Sequence, residues 1–114
     1  MKTVPYVHLS TAEGKPAPGR IRKLAFSPTD APIQTRQAMA GASIIFPRTE
    51  TDCHAHAECE EIMYIASGRG EAQVGKEHFD IQPDMMIYVP TGASHSLKNT
   101  SDEMMKIIFV FVPT

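Results

Sequence analysis

Helix signals are nearly absent from this sequence: no segment sustains apolar residues at i, i+3 and i+4 with a cap before it and a glycine after it. An all-α fold is excluded on that ground. Cysteine is scarce as well. Cys53 and Cys59 are too few for a disulfide framework, and a reducing cytosol would keep them as free thiols. No charge of one sign dominates, because 11 basic and 13 acidic residues are mixed along the chain and the net charge is −2. With no basic stripe and no polybasic cluster, neither nucleic acid nor an anionic membrane is an expected partner. No apolar run approaches the ~18 residues of a membrane-spanning helix. Met1-Lys2-Thr3-Val4-Pro5 lacks the apolar core of a secretory signal, so the expected location is cytoplasmic. Nucleophile motifs, phosphate loops, paired zinc-binding cysteines and internal repeats are missing too.

What is present reads as β structure. The 114 residues, 42% of them apolar, suit one globular domain spanning 1–114. Strand-like runs fall at 21–26, 39–47, 52–56, 61–66, 71–74, 78–81, 86–89, 95–98 and 104–112. Turn chemistry separates them: Ser67-Gly68-Arg69-Gly70, Gly75-Lys76-Glu77, Pro83-Asp84 and Asn99-Thr100-Ser101-Asp102. Short strands at this spacing indicate an antiparallel sandwich or barrel over 21–114. Residues 1–20, with Gly14, Pro16 and Pro18-Gly19, read as an extended N-terminal arm.

Three of the five histidines concentrate with a carboxylate in one pattern: His54-Ala55-His56, then Glu61, then His95 after Pro90-Thr91-Gly92. Imidazole nitrogens and a carboxylate oxygen are a ligand set that holds a divalent transition metal and leaves positions open for substrate. His54 and His56, two apart, share a strand face. Glu61 is an odd number of residues from His56 and needs a turn through Ala57-Glu58-Cys59-Glu60 to converge with it. A single histidine on a polar strand is more often a surface residue; it is the four together that point to a metal.

In these residues the chain resembles the cupin superfamily. The first cupin motif, G-x5-H-x-H-x3-4-E-x6-G, is met by His54, His56, Glu61 and Gly68; the second, G-x5-P-x-G-x2-H-x3-N, by Pro90, Gly92, His95 and Asn99. The leading glycine of each motif is replaced, by Arg48 and by Asp84. Those glycines occupy turns of positive φ, which Asp tolerates better than Arg. The resemblance implies an antiparallel double-stranded β-helix, or jelly-roll barrel, with one metal on His54, His56, Glu61 and His95. Iron, manganese, nickel, cobalt, copper and zinc all suit that set. It further implies a homodimer, the N-terminal arm being suited to pairing between copies, and a small-molecule substrate. The activity implied is that of a dioxygenase, a decarboxylase or lyase, or an isomerase. A barrel that binds metal and ligand without turnover is the alternative.

Other residues carry weaker readings. Spacing to Gly68 selects Glu61 over Glu60, which reads as solvated. Cys59 reads as a turn or buried thiol, with a place near the metal as the rival; Cys53, adjoining His54, reads as packing. Met63 shares a face with Glu61 and is a candidate pocket residue. The other methionines, among them Met85, Met86, Met104 and Met105, read as core filling. Met39, Gly41 and Ser43 share a parity that would leave room inside a barrel, whereas Tyr64 and Tyr88 fall on the opposite face. Arg36, Arg48 and Arg69 are conceivable carboxylate anchors, although lone arginines are usually solvated. His8 and His78 read as surface residues. No separate general base is identifiable.

Overall fold

The computed structural model describes residues 5–114. The reading of a missing secretory leader, and the start of the 1–20 arm, fall on residues 1–4 and so lie outside the described residues. Among the described residues there are ten strands and no helix, hence no helix long and apolar enough to cross a membrane. The strands are β1 Lys15–Ala17, β2 Arg20–Ser27, β3 Ile33–Gln34, β4 Met39–Ile45, β5 Cys59–Ser67, β6 Gly70–Val74, β7 Glu77–Ile81, β8 Met86–Val89, β9 His95–Asn99 and β10 Met105–Pro113.

The large sheet runs β1-β2-β4-β10-β5-β8, with β3 beside β2, and the small sheet runs β7-β6-β9. All pairs are antiparallel except the two-residue β2–β3 ladder. This is the all-β jelly roll that the motifs implied. β10 lies at the centre of the large sheet because its sequence alternates: Met105, Ile107 and Phe109 are buried while Lys106, Ile108 and Val110 are half-exposed. Inward residues of the two sheets meet in one cluster, Ile65, Ile107 and Phe109 from the large sheet with Ala72, Ile81 and Leu97 from the small one. At roughly 1.5–3 kcal/mol per buried aliphatic or aromatic side chain, this cluster is the main stabilising term.

The run 52–56 does not form a strand, contrary to the alternation-based expectation. Residues 49–54 do follow β9, through Asn99 N to Thr49 O (2.9 Å), Thr51 N to Leu97 O (2.8 Å) and a reciprocal His54–His95 pair (3.1 and 2.8 Å). Glu50 opposes Lys98 and His54 opposes His95, so the Thr51–His54 side holds one residue more than its partner. That extra residue breaks the ladder as a bulge does. The N-terminal arm is likewise not simply extended: β1 folds back on β2 of its own chain around Gly19, at φ 75°.

The two replaced motif glycines keep the backbone conformation that glycine would take. Arg48 has φ 54° and Asp84 has φ 73°. Compensating contacts hold each. Arg48 N donates to Ser101 O (3.1 Å) and its Nε to Asp102 (2.9 Å). Asp84 N donates to Ile65 O (2.9 Å), and its carboxylate accepts from Tyr64 Oη (2.7 Å). The motif asparagine acts as a pin. Fully buried Asn99 donates to Ile45 O (3.2 Å) and Glu103 O (2.6 Å) and accepts from the Ser101 amide (3.0 Å) and hydroxyl (2.8 Å), closing the β9–β10 turn.

Several readings of single residues are corrected. Cys53 is exposed, not packed. Met86 and Met104 are exposed too, whereas Met63 and Met105 fill the core. Gly41 is required by a close approach rather than by space for a ligand, since a Cβ there would run into the Lys23 carbonyl and the Leu24 backbone across the β2–β4 ladder.

Candidate metal centre

The four sequence-singled residues converge on one spot between the sheets. β5 supplies Glu61 on its inward face in step with Met63 and Ile65, all three buried. His95 opens β9 and is buried; His54 and His56 come from the segment bridged to it. The bend at Ala57-Glu58 reverses the parity between His56 and Glu61, so all four side chains face inward. Gly92, at φ 81°, donates its amide to the His56 carbonyl (2.8 Å), which ties the loop before His95 to the His54-Ala55-His56 segment.

Ring centroids of the three histidines are 4.4 to 5.1 Å apart, and one nitrogen from each lies within 4.8 Å of the others. Glu61 Oε1 sits 3.1 Å from His95 Nε2 and 3.4 Å from His56 Nε2. These contacts lack hydrogen-bond alignment: His56 Nε2, His95 Nε2 and Glu61 Oε1 are buried with no hydrogen-bond partner. Such orphans are rare and call for a ligand. Two tautomers are fixed by backbone acceptors. His54 Nδ1 meets Asp52 O at 3.0 Å and His95 Nδ1 meets Ala93 O at 3.1 Å. A carbonyl only accepts, so Nδ1 carries the proton in both rings and the Nε2 lone pair is free for a metal.

Protonation of the two inner rings is pushed in opposite directions. Burial lowers His56, against the opposing charge of Glu61, and the neighbouring His95 and His54 add to the lowering. Burial acts downward on His95 also, but contact with Glu61 and the Ala93 carbonyl outweighs it, so His95 is raised. The donor set, its free lone pairs and the orphaned atoms all fit one divalent transition ion.

The site opens into a cavity of about 340 Å³. Its far wall was missed from sequence: Arg20, Arg22, Phe109 and Phe111 line it, together with Ser43 and Met63. Met63 and Ser43 stood among the residues whose parity pointed inward. Arg36, Arg48 and Arg69, the arginines weighed as anchors, lie outside this wall; Arg48 pairs with Asp102 and Arg69 with Gln82. Glu60 faces outward and accepts from Tyr88 Oη at 2.7 Å. Cys59 is half-buried, is not part of the cavity wall, and is raised by burial, with the charges of Glu61 and Glu58 adding to the effect. That makes it an unreactive thiol. His78 and His8 are both exposed, and neither lines the cavity.

Residues 43–111 match the family described as Cupin domain. The polyketide synthase CurC of Streptomyces cyaneus is 26% identical over 85 residues, which cover 75% of this chain and 55% of that protein. The uncharacterized protein MJ1618 of Methanocaldococcus jannaschii is 32% identical over 78 residues, covering 68% of this chain and 62% of that protein. The match thus spans between about half and two thirds of the length of these two relatives. Among solved structures, a predicted oxalate decarboxylase from Thermotoga maritima aligns with a TM-score of 0.81 at 16% identity, over 96% of this chain and 99% of that one. At that identity the likeness is one of fold.

Proposed function

The chain belongs to the cupin family, and from that premise we propose that it is a metal-dependent enzyme acting on a small oxygenated metabolite. The observation that carries this reading is the convergence of three buried, unpartnered atoms: His56 Nε2, His95 Nε2 and Glu61 Oε1. His54, His56, His95 and Glu61 would hold one divalent transition ion. Such an ion, when bound, supplies a Lewis acid and open positions for substrate oxygen. The Asp52 and Ala93 carbonyls keep the His54 and His95 lone pairs aimed at the ion. Met63, Phe109 and Phe111 exclude water from one side of the cavity, and the Ser43 hydroxyl offers a hydrogen bond. Polyketides and oxalate, the compounds in the names of two similar proteins, are both oxygen-rich, in keeping with such a substrate.

Elemental analysis and thermal shift test the reading. Protein purified without added metal should carry near-stoichiometric ion or be stabilised by manganese, iron, cobalt or zinc, and His56→Ala should lose that response while keeping its β-sheet spectrum. Retained stoichiometric metal in His56→Ala refutes the ligand assignment. Oxygen uptake across diketones, catechols and 2-oxo acids then divides dioxygenase from non-redox chemistry.

The homodimer belongs to the same proposal. On the outer face of the large sheet, Ile108, Tyr64 and Met86 share one cross-strand row and Val110, Ile62 and Tyr88 the next. An apolar face of this kind suits a self-complementary interface. Light scattering should give twice the 12.6 kDa chain mass, and Tyr88→Glu should shift it to the monomer; a wild-type monomer at high concentration removes this part.

A further inference from the structure

Two guanidinium groups line the cavity, and they differ in how their charge is met. Arg20 is neutralised: its Nη1 lies 3.0 Å from the Asp52 carboxylate and 2.9 Å from the Pro18 carbonyl. Arg22 is not. Among the described residues no carboxylate lies within ion-pair distance of it, and its one hydrogen-bond contact is Nη2 to the Met39 sulfur at 3.8 Å. Its guanidinium carbon stands 5.0 Å from the Phe109 ring centroid and 5.7 Å from that of Phe111. Ring faces attract a cation but leave its N–H donors unused. Burial and the neighbouring Arg20 both disfavour the charge, and the opposing field comes from Glu61. That carboxylate already faces His56 and His95.

A half-buried cation with idle donors at the wall of a cavity is an incomplete ion pair. We propose that Arg22 is the anchor for a substrate carboxylate. The substrate class is accordingly a small oxo or hydroxy carboxylate whose metal-facing oxygen lies remote from its carboxylate. The inference rests on the proposed metal function for the far end of the substrate. Spacing sets the separation of the two groups. The Phe111 ring touches His56 edge-on at 4.8 Å and also neighbours Arg22, so one aromatic ring spans anchor and metal ligand. A 2-oxo acid, with both functions adjacent, can present both to the ion and leave Arg22 unpaired. The carbon chain between the two functions would lie on Phe109 and Phe111. β2 fixes the anchor: Arg22 opposes Ser43 on β4, which opposes Ile107 on β10, so its side chain shares the inward row of the large sheet.

Calorimetry with levulinate, its uncharged amide and pyruvate, on cobalt-loaded and on chelator-treated protein, tests this. Cobalt-loaded wild type should bind levulinate about tenfold or more tightly than levulinamide, the scale of a charge-assisted pair. Arg22→Gln should erase that preference without changing cobalt affinity. Arg22→Lys, which keeps the charge but not the planar fork, should retain part of it, and Arg36→Gln, at an arginine outside the cavity wall, should retain all of it. Pyruvate should gain least from Arg22. Equal binding of acid and amide, no binding of levulinate, or a preference surviving Arg22→Gln overturns the proposal. Failure of the metal reading has a different pattern: no cobalt uptake, with an Arg22-dependent acid preference persisting in chelator-treated protein.

Discussion

Glu61→Gln should change the sign of its effect on stability when metal is added. Glu61 is 6% exposed, and its Oε1 has no hydrogen-bond donor although two imidazoles lie within 3.4 Å. In metal-free protein its fate depends on His95, whose pKa is raised above the ordinary 6.5. A raised pKa means that the pairing of protonated His95 with Glu61 stabilises the fold at pH below 6.5. That contribution is lost as pH climbs through the raised value. At alkaline pH, above that raised value, His95 is neutral, and buried Glu61 Oε1 faces nitrogen lone pairs with no donor to satisfy it. An unsatisfied buried acceptor costs about 1–3 kcal/mol. A glutamine amide can donate to one of the Nε2 atoms and carries no charge, although it removes the field that Arg22 feels. The net expectation is a gain of about 1–2 kcal/mol, or some 3–8 °C in Tm for a chain of this size. With metal the order reverses. Wild type gains about 4 kcal/mol at a thousandfold excess over Kd, while the amide of the variant offers the ion a neutral and weaker ligand. Thermal melts of both proteins, in chelator and in saturating cobalt at the same pH, decide the matter. A substitution that destabilises equally in both conditions marks Glu61 as purely structural. One that stabilises equally in both removes it from the ligand set.

Arg48→Gly should raise Tm by about 3–6 °C, because glycine takes φ 54° without the left-handed penalty and the Asp102 pair it loses is exposed. Asp84→Gly should gain less, since it gives up the Tyr64 hydrogen bond, and Asp84→Ala should lower Tm; an unchanged Tm in all three refutes strain at these turns. Metal affinity, read by competition titration, should weaken about tenfold per pH unit on acidification, beginning above pH 6.5 because raised His95 holds its proton there. Lowered His56 should add a second proton and steepen the slope only below that value, so a single slope throughout contradicts the assignment of the two rings.

What the sequence disclosed and what it hid divide along the reach of the interactions. The convergence of His54, His56 and Glu61 was legible because its geometry is nearly local. Two histidines on one face, a bend at Ala57-Glu58 and an inward Glu61 are decided within the single stretch from His54 to Glu61. The glycine-replaced turns were legible for the same reason, since a turn that needs positive φ imposes it on Arg48 and Asp84 whatever their propensity. The run 52–56 misled because alternation is a property of side chains, and the extra residue opposite β9 is a property of pairing. Arg22 was hidden for a related reason. It lies in a strand where Arg20, Arg22 and Lys23 look like an ordinary polar face, and nothing local tells the inward charges from the outward one. Two ladders decide it: β2 on β4 sets Arg22 opposite Ser43, and β4 on β10 carries that row to Ile107 beside the phenylalanines. A one-residue slip in the first ladder would put Lys23 in the cavity and Arg22 in solvent. The histidine and carboxylate side of this cavity is therefore written in motif spacing, and its arginine and phenylalanine side is written in strand register.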